Sequence, residues 1–104
     1  MAQVIWTDPA LQNLDEIADN IALENLEAAK KLVSLVFQRT DLLGSVPLMG
    51  NVPDELKGTL YRRLVIWVLY LYYRIDEGRV IIIHLRRAER EFSLEDIEEG
   101  ESQA

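Results

Sequence analysis

Two stretches in the first half of the chain repeat their apolar side chains every three or four residues, the period of an amphipathic helix. The first begins at the cap-and-proline sequence TDP and runs to about Leu23, and the second is capped by Asn25 and ends at Gly44. Because only one or two residues separate the two predicted helices, we expect them to pack antiparallel as a hairpin. A short β-like run, Gln3–Trp6, precedes it. The apolar stripes are Leu11, Leu14, Ile17, Ala18 and Ile21, then Ala29, Leu32, Val33, Val36 and Leu43.

The second half of the chain is rich in β-branched and aromatic residues and predicts a sheet. Residues 45–53 hold two prolines and a glycine, which indicates a loop. Residues 61–75 and 79–85 flank the turn sequence DEG, as in a β-hairpin. Because fifteen residues are too many for a usual strand, we expect two strands joined near residues 65–68. The predicted fold class is α+β, with an N-terminal strand and an antiparallel helical hairpin packed on one face of a small antiparallel β-sheet.

Both faces of the predicted sheet are apolar, although one helical hairpin covers only one face. Either the C-terminal segment 92–97 folds back over the second face or a partner protein covers it. We expect one domain over residues 1–92 and an acidic tail over 93–104, with a short helix at 93–99 capped by Ser93. The two predicted faces carry Val65, Trp67, Leu69, Leu71, Tyr73 and Ile75 on one side and Leu64, Ile66, Val68, Tyr70 and Tyr72 on the other.

Composition excludes several kinds of site. The 104 residues include no cysteine and one histidine, so neither a disulfide framework nor a zinc site is expected, and no glycine-rich phosphate loop indicates a cofactor. The N-terminus lacks the pattern of a signal peptide. The longest apolar run, residues 64–73, is too short to span a bilayer. We therefore expect a cytoplasmic protein without a cofactor.

The net charge of −7 is unevenly distributed. Residues 1–58 carry −5, residues 59–90 carry +4 and residues 91–104 carry −6. All the bases of the middle segment are arginines, whose planar guanidinium groups suit phosphates, carboxylates and aromatic faces. This indicates a macromolecule-binding surface, although arginines at a sheet margin also serve solubility alone. The candidate binding residues are Arg62, Arg63, Tyr73, Arg74, Arg86, Arg87 and Arg90.

The single histidine, His84, is a candidate catalytic residue. In the predicted strand it shares a face with Val80 and Ile82, where a histidine is usually a satisfied core residue. If it faces solvent beside Arg62, Arg86 and a tyrosine, we expect a set that could attack RNA without metal. Attack by the 2′-hydroxyl needs a base, an acid and a cation for the phosphorane charge, which histidine, tyrosine and arginine supply.

Residues 3–90 resemble the RelE/ParE superfamily of toxins from type II toxin–antitoxin modules. Three features depart from its usual pattern: residues 66–70 lack a Gly-Pro turn, Leu85 replaces a glycine, and the chain is acidic rather than basic. The matching fragments are VIWTDPA at 4–10, LDEIADNI at 14–21, NLEAA at 25–29, PLMG at 47–50, YRRLV at 61–65, YRI at 73–75 and HLRR at 84–87.

The resemblance implies a toxin neutralised by a cognate antitoxin that covers apolar grooves. The long helical hairpin and the Met-Gly loop are closer to the ParE branch, whose members bind and poison DNA gyrase and are not enzymes. The alternatives are a RelE-like, ribosome-dependent mRNA endoribonuclease and an inactive relative that only forms complexes. A homodimer or a hetero-oligomer with the antitoxin is compatible with each. The candidate antitoxin contacts are Trp67, Tyr70 and Tyr72.

Overall fold

A computed structural model gives the fold and describes residues 1–89 and 93–103. One strand and two helices come first, followed by three strands and a last helix. A 3₁₀ turn, Asp54–Leu56, precedes the second strand. The elements are β1 (Gln3–Trp6), α1 (Asp8–Ala22), α2 (Leu26–Ser45), β2 (Arg62–Ile66), β3 (Leu69–Asp76), β4 (Arg79–Arg87) and α3 (Leu94–Gln103).

Side-chain caps fix the starts of both hairpin helices. The Thr7 hydroxyl accepts a hydrogen bond from the backbone N–H of Ala10 and donates one of 2.8 Å to the carbonyl of Ile82, so the same residue starts α1 and ties it to β4. Asn25 Oδ1 accepts a 3.0 Å hydrogen bond from Ala28 N–H at the start of α2. In residues 1–89 and 93–103, no helix is long and apolar enough to cross a membrane.

The four strands form one sheet in the order β1-β4-β3-β2. Strands β2, β3 and β4 are antiparallel neighbours, and β1 pairs with β4 in parallel, so the sheet is mixed rather than purely antiparallel. The helical hairpin packs on one face of it, which confirms the predicted α+β class. The predicted break in residues 61–75 is a two-residue turn at Trp67 and Val68.

Two local features change which residues share a face. The turn at Trp67 reverses the alternation, so Leu64 on β2 and Leu71 on β3 lie side by side under the helices. A register shift between Tyr72 and Tyr73 then moves His84 opposite Tyr72, whereas Ile82 lies opposite Tyr73. The prediction that His84 shares a face with Val80 and Ile82 is therefore wrong, because it assumed an unbroken ladder.

The helix α3 covers part of the second face. Ile97 is fully buried and packs in a cluster with Leu56, Tyr72, Ile81 and Ile83. Of the two interpretations of the apolar second face, this chain's own C-terminal segment therefore accounts for the part over β4. The part near β2 remains accessible, and Val65 there is 46% exposed.

Candidate functional site

An arginine–tyrosine cluster, made of Arg63, Tyr70, Tyr72 and Arg86, lies on the second face beside α3. The guanidinium carbons of Arg63 and Arg86 lie 4.3 and 4.9 Å from the centroid of the Tyr70 ring. Arg86 Nε donates a 2.9 Å hydrogen bond to the Tyr72 hydroxyl. Each cation–π contact stabilises by about 0.5–2 kcal/mol, depending on its exposure. The cluster thus holds two positive charges over aromatic rings in fixed positions.

Sheet register brings these four side chains together from three adjacent strands. Arg63 on β2 pairs with Tyr72 on β3, and Tyr70 pairs with Arg86 on β4, so all four project from the same face. The carboxylate oxygen Oε1 of Glu55 lies 3.5 Å from Arg63 Nη1. Burial raises the pKa of the Tyr72 hydroxyl, and the hydrogen bond from Arg86 opposes that rise. The phenol therefore stays neutral at physiological pH.

His84 lies next to this cluster, at the register shift between β3 and β4. Its ring centroid is 6.0 Å from that of Tyr72. Burial lowers the pKa of His84, and the nearby charge of Asp96 partly opposes this. The imidazole is therefore neutral at pH 7 and adds no positive charge to the cluster. A cavity of about 170 Å³ is lined by His84, Arg86, Asp96, Asn13 and Glu16, among others. Within residues 1–89 and 93–103, no group of three His, Asp or Glu side chains could hold a metal ion.

The predicted nuclease set is divided between the two faces of the sheet. His84 and Arg86 lie on the second face, but Arg62 pairs with Tyr73 on the helix-covered face. Its guanidinium donates hydrogen bonds to the carbonyls of Gly50 at 2.7 Å and Leu48 at 3.2 Å. Arg62 therefore supports the loop before β2 and does not stand beside His84.

The remaining predicted binding residues do not form one surface. Arg74 pairs with Asp76 and Glu101, and Arg87 Nε lies 2.8 Å from a Glu89 carboxylate oxygen. The hydrogen bond to Glu101 raises the pKa of Arg74 further. Tyr73 is fully buried, so in this structure it is a core residue and not a surface contact. The prediction for Arg90 lies outside the described residues.

Trp67 lies at the exposed tip of the β2–β3 hairpin. Its φ of 49° falls in the left-handed region that asparagine and glycine tolerate better, and its side chain is 55% exposed. A groove of about 470 Å³ runs from Trp67 and Val68 to the junction between α1 and α2, including Leu23 and Asn25. Of the other candidate contacts, Tyr72 is fully buried and Tyr70 is partly buried within the arginine–tyrosine cluster.

Sequence reasoning missed the acidic and amide groups around these residues. Glu55 reaches Arg63 from the 3₁₀ turn, and Asn13 on α1 accepts a 3.1 Å hydrogen bond from the backbone N–H of Leu85. Asp96 approaches His84 from α3. Each of these contacts joins residues from different elements of the fold, and no local pattern indicates them.

This structure is a small α+β protein of the class that the RelE/ParE resemblance implies. The features that define it are the helical hairpin, the strand order and the arginine–tyrosine cluster. The family model described as the ParE toxin of the type II toxin–antitoxin system parDE matches residues 4–92. The chain is 31% identical over 90 residues to the toxin RelE2 of Caulobacter vibrioides, covering 86% of this chain and 99% of that protein.

A solved structure from the chromosomal ParDE toxin–antitoxin system of P. aeruginosa aligns with a TM-score of 0.72 at 25% identity. The alignment covers 86% of this chain and 98% of that one. This chain belongs to the ParE toxin family of type II toxin–antitoxin systems.

Proposed function

We propose that this toxin is neutralised by a cognate antitoxin and, when released, acts by binding a macromolecular target, with DNA gyrase as the first candidate. Membership of the ParE family supports the antitoxin partner and favours binding over catalysis. Because gyrase works on the bacterial chromosome, the proposal places the action of the toxin in the cytoplasm.

The arginine–tyrosine cluster is the observation that carries this proposal. Its two guanidinium groups are held over Tyr70 at 4.3 and 4.9 Å, which reduces the conformational entropy that a partner must remove on binding. Arginine and tyrosine, like tryptophan, are enriched among the side chains that dominate binding energy at protein interfaces. A preorganised pair of this kind is suited to carboxylates on a protein target or phosphates on its bound nucleic acid.

A RelE-like ribonuclease is the second candidate, favoured by the cavity that His84 and Arg86 share. A neutral imidazole can accept the proton of a 2′-hydroxyl, and the adjacent guanidinium can stabilise the phosphorane charge. The position of Arg62 on the other face removes one member of the predicted set. Binding is therefore the better-supported function.

Induction of the chain without an antitoxin separates the candidates. We expect growth to stop, a reporter plasmid to lose negative supercoils and ribosome-bound mRNA to show no new ends, because the toxin binds gyrase. His84→Ala should retain this toxicity. New mRNA ends that disappear in His84→Ala would support the ribonuclease instead, and unimpaired growth would indicate an inactive relative.

For the antitoxin surface, we propose the groove beside Trp67. Trp67→Asn should weaken binding of the cognate antitoxin at least tenfold, because an exposed aromatic anchor is lost. Stability should stay unchanged or rise, since asparagine tolerates the φ of 49° better than tryptophan does. Titration calorimetry and thermal denaturation measure the two effects.

Leu60→Asn is the matched control, since Leu60 is 78% exposed and lies outside the groove. It should bind the antitoxin like the wild type. Equal affinities for the wild type and Trp67→Asn would refute the role of this groove.

A further inference from the structure

The C-terminal helix α3 combines an acidic surface with a small apolar anchor. It carries Glu95, Asp96, Glu98, Glu99 and Glu101 and no basic residue. Its anchor is Ile97, which is fully buried among Leu56, Tyr72, Ile81 and Ile83. The helix is therefore specifically docked on the sheet, although most of its side chains are polar.

Two further contacts fit α3 to this position. A Cβ atom added at Gly100 would lie 3.0 Å from the carbonyl oxygen of Ile83, so this close approach to β4 favours a residue without a side chain. The next residue, Glu101, forms an ion pair with Arg74 on β3. Apolar burial, backbone proximity and an ion pair thus all align α3 in one register on the second face.

The docked helix borders the arginine–tyrosine cluster directly. Tyr72 belongs to both: its ring packs in the cluster of apolar residues around Ile97, and its hydroxyl accepts the hydrogen bond from Arg86. Asp96 lies close enough to His84, the cross-strand neighbour of Tyr72, to influence its pKa. A macromolecule that spread from Arg63 and Arg86 toward Ile83 would meet α3 and its carboxylates.

The contacts that hold α3 are few enough to be reversible. A ten-residue helix does not persist alone in water, so α3 depends on its docking to stay folded. The Arg74 and Glu101 side chains are 23% and 25% exposed, so solvent reaches the ion pair and salt weakens it in part. Release of α3 would enlarge the exposed surface next to the arginine–tyrosine cluster, because it would uncover Tyr72, Ile81, Ile83 and Arg74.

We propose that α3 is an autoinhibitory cover that competes in cis with the macromolecular target for the second face of the sheet. The proposal rests on the proposed function, because it assumes that the target binds through the arginine–tyrosine cluster. The acidic residues of α3 lie beside that cluster, in the place where an acidic surface of the target would bind. Full target binding then requires α3 to move away.

Full-length Ile97→Ser tests the cover, since it removes the apolar anchor and leaves the charge unchanged. The probe is a fluorescent peptide with the sequence of residues 93–103, added in trans. We expect Ile97→Ser to bind this peptide at least tenfold more tightly than the wild type, whose own α3 occupies the site. Half-inhibition of gyrase supercoiling should need at least fivefold less Ile97→Ser than wild type.

Glu101→Gln is a second, milder release variant that leaves the core intact, and Glu95→Gln is its control with the same charge change on an exposed position. Glu101→Gln should shift both peptide affinity and gyrase inhibition in the same direction as Ile97→Ser. Its difference from the wild type should be smaller at high salt, because salt also weakens the Arg74–Glu101 ion pair of the wild type. Glu95→Gln should match the wild type in both.

The two readouts distinguish failure of the cover from failure of the proposed function. If Ile97→Ser binds the peptide but inhibits gyrase no better than an inhibitory wild type, autoinhibition is refuted and gyrase binding stands. If the variants bind the peptide and no form of the chain inhibits gyrase, the proposed function fails, and the cover for that target fails with it. If neither release variant binds the peptide, α3 is not a separable cover.

Discussion

Replacement of Arg63 and Arg86 together by alanine should reduce inhibition of gyrase by at least 100-fold. Both guanidinium groups lie within 5 Å of the Tyr70 ring, at 4.3 and 4.9 Å, and they supply the positive charge of the arginine–tyrosine cluster. A loss of 100-fold corresponds to about 2.7 kcal/mol, which is reasonable for two arginines at the centre of an interface. A supercoiling assay with purified variants measures the change.

Arg39→Ala is the matched control for the arginine variants, because Arg39 is exposed on α2 and its removal changes the net charge in the same direction. It should inhibit gyrase like the wild type. Circular dichroism must show the double variant folded, since loss of Arg86 removes a donor to the buried Tyr72. A folded double variant that remains fully inhibitory would exclude the cluster as the binding site.

Tyr73→Phe should lower the free energy of unfolding by about 2–4 kcal/mol, which is large for the loss of one oxygen atom. The buried Tyr73 hydroxyl donates a 2.7 Å hydrogen bond to the carbonyl of Pro47 and accepts a 3.0 Å hydrogen bond from the N–H of Gly50. Phenylalanine leaves both backbone groups without that partner. Urea denaturation measures the loss.

Tyr61→Phe serves as the control for Tyr73→Phe, because Tyr61 is partly exposed and water can reach its position. It should change the free energy of unfolding by less than about 1 kcal/mol. The Gly50 site gives an independent check: a Cβ added there would lie 2.7 Å from both the Arg63 carbonyl oxygen and the Tyr73 hydroxyl. Gly50→Ala should therefore also destabilise the chain. If Tyr73→Phe and Gly50→Ala are both as stable as the wild type, Tyr73 does not anchor the loop at residues 47–50.

The sequence predicts the elements of this fold because each depends on neighbours in the chain. A threonine and an asparagine cap mark the two hairpin helices, and the DEG turn marks the β3–β4 hairpin. The break between β2 and β3 is predictable only from strand length, since Trp67 is an unusual residue for a turn with positive φ. These local rules are sufficient for the α+β class.

The candidate site was less predictable because it depends on register. Counting alternate residues through 61–75 cannot show that the turn at Trp67 reverses the faces, nor that a bulge moves His84 beside Tyr72. The arginines consequently appear as one surface in the sequence, whereas Arg62 lies on the opposite face from Arg63 and Arg86. The docking of α3 through Ile97 likewise joins segments far apart in sequence.

Parallel titration of purified gyrase and purified translating ribosomes with the wild-type chain separates target binding from mRNA cleavage. We expect concentration-dependent loss of supercoiling, reversed by the cognate antitoxin, and intact mRNA on the ribosomes at the same toxin concentrations. Cleaved mRNA with undisturbed supercoiling would contradict this expectation, and would make His84 and Arg86 parts of a nuclease instead.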